Sequence, residues 1–307
     1  VDRLDRRCRG LRPDRGGHSM RARTRAAARA WLENARFEVL PTARIVDEVT
    51  THLTPGATVT VTASPTKGLA ATLDCAEELA GRGFDVVPHL AARMISGRSE
   101  LEEICARLRQ AGVTSVFVPA GDADPAPGAY RGALDLLADL EALGDPFAQV
   151  GITGYPESHP HIGDDVTVQA MWDKRRHATQ IVSNLVFDPK VVAGWIDRVR
   201  ARGVQTPILI GLVGPVDRGP LLKMATKIGV GESTKFLAKN RTMFTRIMSP
   251  GGYEPMRFLT AVAAAASEPE ANVAGLHLFT FNQVAETERW RRVQVERLGT
   301  PAGSTAR

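Results

Sequence analysis

Eight short runs rich in β-branched residues, separated by stretches of helical apolar spacing, limit more than any other feature what this chain can build. The runs are RFEVL (36–40), TVTVTA (58–63), DVVPHL (85–90), SVFVPA (115–120), AQVGITGY (148–155), IVSNLVF (181–187), PILIGLV (207–213) and GLHLFTF (275–281). Between them lie segments such as GLAATLDCAEELAGRG, SELEEICARLRQAG and YRGALDLLADLEALG. Their apolar residues recur three and four positions apart, the period of a helix with one buried face. Each ends in Gly, the residue that closes a helix in the left-handed conformation. PKVVAGWIDRVRARG and GPLLKMATKIG continue the pattern after the sixth and seventh runs. Strands alternating with helices predict a parallel sheet with helices packed outside it. Eight such units predict a single closed (β/α)8 barrel, the TIM-barrel architecture, whose chemistry sits at the carboxyl ends of the strands. An open doubly wound sheet is the rival, and no G-x-G-x-x-G follows the first strand to support it. Residues 231–270 hold two further helical segments, so the loop between strands 7 and 8 is enlarged.

Charge marks the domain limits. The formal net charge is +5, but nine of the 39 basic and three of the 34 acidic residues lie in residues 1–25, which leaves 30 basic against 31 acidic for the rest. The body is close to neutral, so nucleic acid is not the expected partner. Residues 1–25 read as a basic, disordered leader, with an arm for an anionic partner as the alternative. The barrel is expected over 26–300 and a flexible tail over 301–307. No uncharged run is long enough to span a membrane. Cys8, Cys75 and Cys105 are scattered, none at ligand spacing from another Cys or His, which points to a reducing cytoplasm without a disulfide frame or zinc site. Nothing in the sequence requires or forbids self-association.

Polar residues at the ends of the predicted strands are the candidates for chemistry. In FEVLPT, Glu38 stands between Phe37 and Val39; a carboxylate there costs several kcal/mol unless it is paired, protonated or used. His89 closes the third strand, Asp122 follows the fourth in PAGDADP, and GYPESHPH after the fifth supplies Tyr155, Glu157, His159 and His161. Asn184 interrupts the sixth strand, and His277, Thr280 and Asn282 end the eighth. Each has a plainer reading. Asp122 serves equally as a turn aspartate, His89 and His277 as core histidines satisfied by the backbone. The prolines of PESHPH disfavour a converging metal cage, and no metal site is expected.

Taken in order, FEVLPT, VPHLAA, AGDADP, GYPESHP and HLFTFN resemble the strand ends of the methylenetetrahydrofolate reductase family over residues 36–297. The resemblance implies a (β/α)8 oxidoreductase of one-carbon metabolism that reduces 5,10-methylenetetrahydrofolate. It makes Glu38 the general acid, its pKa raised by burial beneath the pterin, and puts Asp122 beside the pterin and the electron donor. Asn184 stands where relatives carry a pterin-facing glutamine. Phe236 in the enlarged loop is the matching stacking aromatic, with Lys235, Lys239 and Arg241 nearby for the folate carboxylates. Thr280, Asn282 and Gln283 fall on the substrate side; Thr62, His89, Tyr155, Glu157 and His159 fall on the cofactor side. Two departures matter: where relatives carry a folate-holding arginine this chain has Gln283, and where their flavin cradle carries an arginine directly before the Gly-Asp it has Ala120. Losing a guanidinium removes a charge-assisted donor to the flavin pyrophosphate. FAD is therefore expected to be absent or weakly held, as in the family's flavin-free actinobacterial branch, with NADH delivering hydride directly. The alternatives are the same reaction through bound FAD, or a folate-binding barrel without catalysis.

Overall fold

Alternation along the first strand sorts its side chains between two environments. In β1 (Arg36–Val39), Phe37 and Val39 are buried in the large apolar cluster shared with the helices, so Arg36 and Glu38 occupy the opposite face. A second, smaller cluster of Val87, Phe117, Val182 and Leu209 comes from four different strands. It fills the space that the strands enclose. The structure, a computed structural model, describes residues 15–156, 164–215 and 253–300.

The element order is α1 (Arg15–Glu33), β1, α2 (Ile45–His52), β2 (Thr58–Val61), α3 (Gly68–Gly81), β3 (Asp85–Pro88), α4 (Arg98–Gln110) and β4 (Ser115–Phe117). It continues α5 (Ala133–Ala142), β5 (Gln149–Gly154), α6 (Asp164–Lys174), β6 (Gln180–Ser183), α7 (Pro189–Ala201) and β7 (Ile208–Val213). Beyond the enlarged loop come α8 (Pro255–Ala266), β8 (Val273–Phe279) and α9 (Val284–Gly299). The eight strands form one sheet in the order β3-β2-β1-β8-β7-β6-β5-β4, every pair parallel. A parallel bridge from His89 to Phe117 joins the two end strands and brings the ring almost to closure. The chain is thus a single (β/α)8 barrel, as the eight alternating units predict.

Local chemistry sets the element ends. Gly83 and Gly144, after α3 and α5, have φ of +85° and +83°, where other residues are strained. β6 stops at Ser183, short of the predicted run to 187, because Asp188 caps α7 through the Lys190 amide (2.9 Å) with Pro189 at its first position. Residues 184–188 therefore turn toward the helix, and Asn184 stands beyond the strand rather than within it. At the other end of the chain, α1 begins at Arg15, so the expected domain limit at residue 25 falls inside a helix. Ala28, Trp31 and Leu32 bury its inner face. Arg25 donates to the terminal carbonyls of α9, Leu298 O at 2.7 Å and Arg297 O at 2.9 Å. These bonds satisfy carbonyls that the helix itself leaves unpaired. Among the described residues no helix is long and apolar enough to cross a membrane.

Candidate active site

Strand register brings together residues far apart in sequence. β1 lies beside β8, with Arg36 opposite His277 and Glu38 opposite Phe279. On its other side Glu38 is opposite Thr60 of β2. The Glu38 side chain is 16% exposed, and its Oε2 lies 2.9 Å from Nε2 of His277, itself only 3% exposed. His89, at the end of β3, brings its Nε2 to 3.8 Å from the same oxygen. Both imidazoles rest on aromatic rings: His277 meets Phe279 edge-on at 4.9 Å between centroids, and His89 is tilted against Phe117 at 4.6 Å. Gly211 on β7 makes room for this packing. A Cβ there would lie 2.7 Å from the Phe279 ring and 2.5 Å from the Ser183 carbonyl.

The electrostatics correct one expectation. Burial pushes the Glu38 carboxyl up, as expected, but the His277 hydrogen bond, the His277 charge and the more distant His89 together outweigh it. The net direction in this ligand-free state is down. His89 moves to about 4, chiefly because burial disfavours its cation; Glu38 opposes that shift and His277 reinforces it. His89 is therefore neutral at pH 7.

Other predicted residues take different places. Thr280 Oγ1 donates to the Glu38 carbonyl at 2.6 Å. The Asn282 amide accepts from Leu40 N at 2.7 Å and donates to Leu40 O at 3.1 Å and Thr42 Oγ1 at 3.2 Å. Both hydrogens of that amide are occupied by β1 and the loop after it, so these two residues fasten β8 to β1 and hold the Glu38 backbone. Phe281 and Asn282 adopt left-handed backbone (φ +49° and +60°) to do this. Gln283, buried, precedes the first turn of α9, and its carbonyl accepts from the Thr287 amide and hydroxyl. Thr62 follows β2; its amide donates to Val39 O at 2.9 Å, and its buried hydroxyl has no partner among the described residues. Asp122 is exposed on the loop after β4. It lies near enough to Tyr155 to reinforce, after burial, the upward shift of that phenol. Asn184 is exposed; its backbone N–H donates to Gly154 O and its side-chain oxygen accepts from Leu185 N. Phe236, Glu157 and His159 lie outside the described residues, as do Lys235, Lys239 and Arg241.

The structure thus gathers Glu38 with His89 and sets Asp122 near Tyr155, and it adds a residue that the expected site omitted. His277 is legible in the sequence as a polar residue on the last strand, but its partnership with Glu38 spans 239 positions and exists only through barrel closure. Among the described residues no group of three or more His, Cys, Asp or Glu side chains forms a metal site. A cavity of about 380 Å³ opens between α2 and the start of α9, lined in part by Arg44, Glu48, His52 and Glu286. Glu38 is not among its lining residues.

Sequence comparison places this geometry in a family. The family model described as methylenetetrahydrofolate reductase matches residues 43–289. Methylenetetrahydrofolate reductase 2 of Saccharomyces cerevisiae (strain ATCC 204508 / S288c) is 31% identical over 94 residues, 29% of this chain and 16% of the yeast protein. The alignment thus spans about a sixth of that relative's length. Among solved structures, oxaloacetate acetylhydrolase aligns at 13% identity and a TM-score of 0.42, over 78% of this chain and 94% of that one. A protein assigned as a lyase/mutase from Burkholderia cenocepacia J2315 aligns at 14% and 0.46, over 91% and 86%. Likenesses so remote bear on neither activity nor ligand. Glu38 lies just before the family match begins, so its role must be argued from geometry. The match itself runs from the loop after β1 into α9 and takes in most of the chain, which belongs to the methylenetetrahydrofolate reductase family.

Proposed function

We propose that this protein reduces 5,10-methylenetetrahydrofolate to 5-methyltetrahydrofolate, taking hydride directly from NADH with no flavin between them. The observation that carries this reading is Glu38, a nearly buried carboxyl on the inner face of β1, toward its carboxyl end, bonded to a single imidazole. The closed five-membered ring of the substrate is a poor hydride acceptor, and the reaction needs an acid. Glu38 gives its proton to the ring nitrogen. The carbon–nitrogen bond opens with its electron pair onto that nitrogen, and the exocyclic carbon becomes an electrophilic iminium. Hydride from the reduced nicotinamide then adds to that carbon. In the ligand-free protein His277 holds the carboxyl down; a pterin stacked above it removes the remaining water, which shifts a carboxyl upward, toward the acid form. The Asp122 carboxylate, beside the opening, favours the cation electrostatically. Holding the nicotinamide face to face with the iminium supplies the positioning gain, on the order of several kcal/mol.

Support for the flavin-free route comes from the loop after β4. Ala120 stands where the family resemblance leads one to expect an arginine. Its carbonyl accepts from the Arg93 amide at 2.8 Å, and the Arg93 guanidinium donates to Ala123 O at 3.0 Å within the same loop. A methyl group offers no donor to a pyrophosphate. This position therefore gives a flavin pyrophosphate no side-chain donor, which favours the direct route.

The test is the visible spectrum of the purified protein followed by an assay of NADH oxidation. A colourless protein that oxidises NADH only with methylenetetrahydrofolate present is the expected result. A flavin band that survives purification would assign the route through FAD, and folate binding without NADH oxidation would assign a non-catalytic barrel.

A further inference from the structure

We propose that His277 is a positioning residue for Glu38: its Nε2 fixes Oε2, so that the second carboxyl oxygen is the one offered to a ligand at the strand ends. The inference rests on the acid role given to Glu38 above. It starts from geometry. His277 follows Arg36 in register on the neighbouring strand, so its ring rises along the wall to meet Glu38 from β8. The ring itself is held: it is 3% exposed and packed edge-on against Phe279, whose own seat is the bare backbone of Gly211. A donor locked in this way fixes its acceptor, because turning the carboxyl would break a 2.9 Å bond in a site largely closed to water. Its Nδ1 has no partner among the described residues, so the bond to the Glu38 carboxylate, which needs the proton on Nε2, is what sets the tautomer of the ring.

The groups that face the carboxyl are few. From β8 there is His277 and from β3 His89 at 3.8 Å; on β1 itself the nearest charge is Arg36, two residues toward the closed end. The neighbouring strand β2 contributes the hydroxyl residues Thr60 and Thr62, which carry no charge. Of the two histidines only His277 is within hydrogen-bonding distance. When Glu38 delivers its proton to a ligand, the O–H bond breaks and the new carboxylate keeps the Nε2–H bond, so the product of the proton transfer is stabilised where it forms.

A structural role alone predicts lost stability; a positioning role predicts in addition a change in the titration of Glu38. The readout is the protonated-carboxyl stretch in infrared difference spectra of the ligand-free protein against pH, with Glu38→Gln used to assign the band. In His277→Phe, which keeps a ring and removes the donor, the Glu38 midpoint should rise by about one unit or more, because burial is then opposed only by the more distant His89. In His277→Gln, which keeps one donor, it should rise less. If the Phe variant does not fold, the Gln variant decides alone: an upward midpoint supports the role, and an unmoved or lower midpoint overturns it. In turnover, His277→Phe should lower kcat about tenfold or more with KM within threefold, and His277→Gln should recover part of it. Loss confined to KM would also overturn the assignment. If the wild-type protein shows no reductase activity, the proposed reaction fails while the infrared titration still tests the pair.

Discussion

Among the described residues two glutamates, Glu38 and Glu288, are largely removed from water, and they are held in opposite ways. Glu288, on the outer helix α9, is 5% exposed and accepts from Arg291 Nε at 2.6 Å, Arg291 Nη2 at 3.0 Å and Arg292 Nε at 2.5 Å. Arg291 also donates to Leu32 O and sits 5.9 Å from the Phe37 ring, so the cluster ties α9 to α1 and β1. Guanidinium groups stay charged throughout the working pH range. The Glu288 carboxylate is gripped at both oxygens by such permanent cations. The Glu38 carboxyl, inside the strands, has one hydrogen-bonded partner among the described residues, and that partner is an imidazole, whose ring nitrogens donate or accept according to tautomer. The first arrangement is a fastening. The second holds the carboxyl by one oxygen only. Burial alone does not identify a catalytic carboxyl; the chemistry of its partner does.

Breaking each arrangement sharpens the contrast, and the largest structural effect belongs to the fastening. Glu288→Ala leaves Arg291 partly buried and unpaired, a change worth about 3 kcal/mol of stability, with Arg292 contributing little because it is 60% exposed. Urea denaturation should show this loss while the folded variant keeps its turnover; a turnover loss at unchanged stability would erase the distinction.

His89 gives the next effect, about 2 kcal/mol. In the unfolded chain a histidine takes its proton near 6.5, but in the fold His89 does so only near 4. Between these values the unfolded state binds the extra proton, so stability falls as pH falls, by roughly 2 kcal/mol between pH 8 and pH 5. The lowered Glu38 carboxyl acts in the same direction but in a more acid window: its contribution is complete above the unfolded carboxylate range and is lost as pH falls through its folded value. Stability measured against pH should therefore be flatter in His89→Gln above pH 5, and an unchanged slope would assign the acid sensitivity elsewhere. The smallest effect is that of Thr280→Val, which removes one bond to the Glu38 carbonyl and should cost about 1 kcal/mol, read from the thermal midpoint.

What could be read from the sequence followed from local periodicity. All eight predicted runs contain a strand, with ends displaced by a few residues where caps intervene, as at Asp188. Glu38 stood out because a carboxylate in an apolar run conflicts with its neighbours. The direction of its proton affinity was not readable, because it depends on His277, which reaches Glu38 only once β8 pairs with β1. Thr280 and Asn282 drew attention as polar rim residues, yet their bonds run to the backbone of β1 and the loop after it. A sequence shows that a side chain is polar, not whether its partner is a ligand or the main chain. The helix beginning at Arg15 was obscured by the basic composition of the segment, and the residues that bury its inner face, Ala28, Trp31 and Leu32, lie beyond the expected leader.

The most direct measurement of the central claim is single-turnover NADH consumption, by stopped flow, in Glu38→Gln against the wild type with saturating methylenetetrahydrofolate. An amide keeps the shape and cannot supply the proton, so the rate should fall about a hundredfold or more while folate affinity stays within a few-fold. A variant that consumes NADH at nearly the wild-type rate would contradict the assignment of Glu38 as the acid.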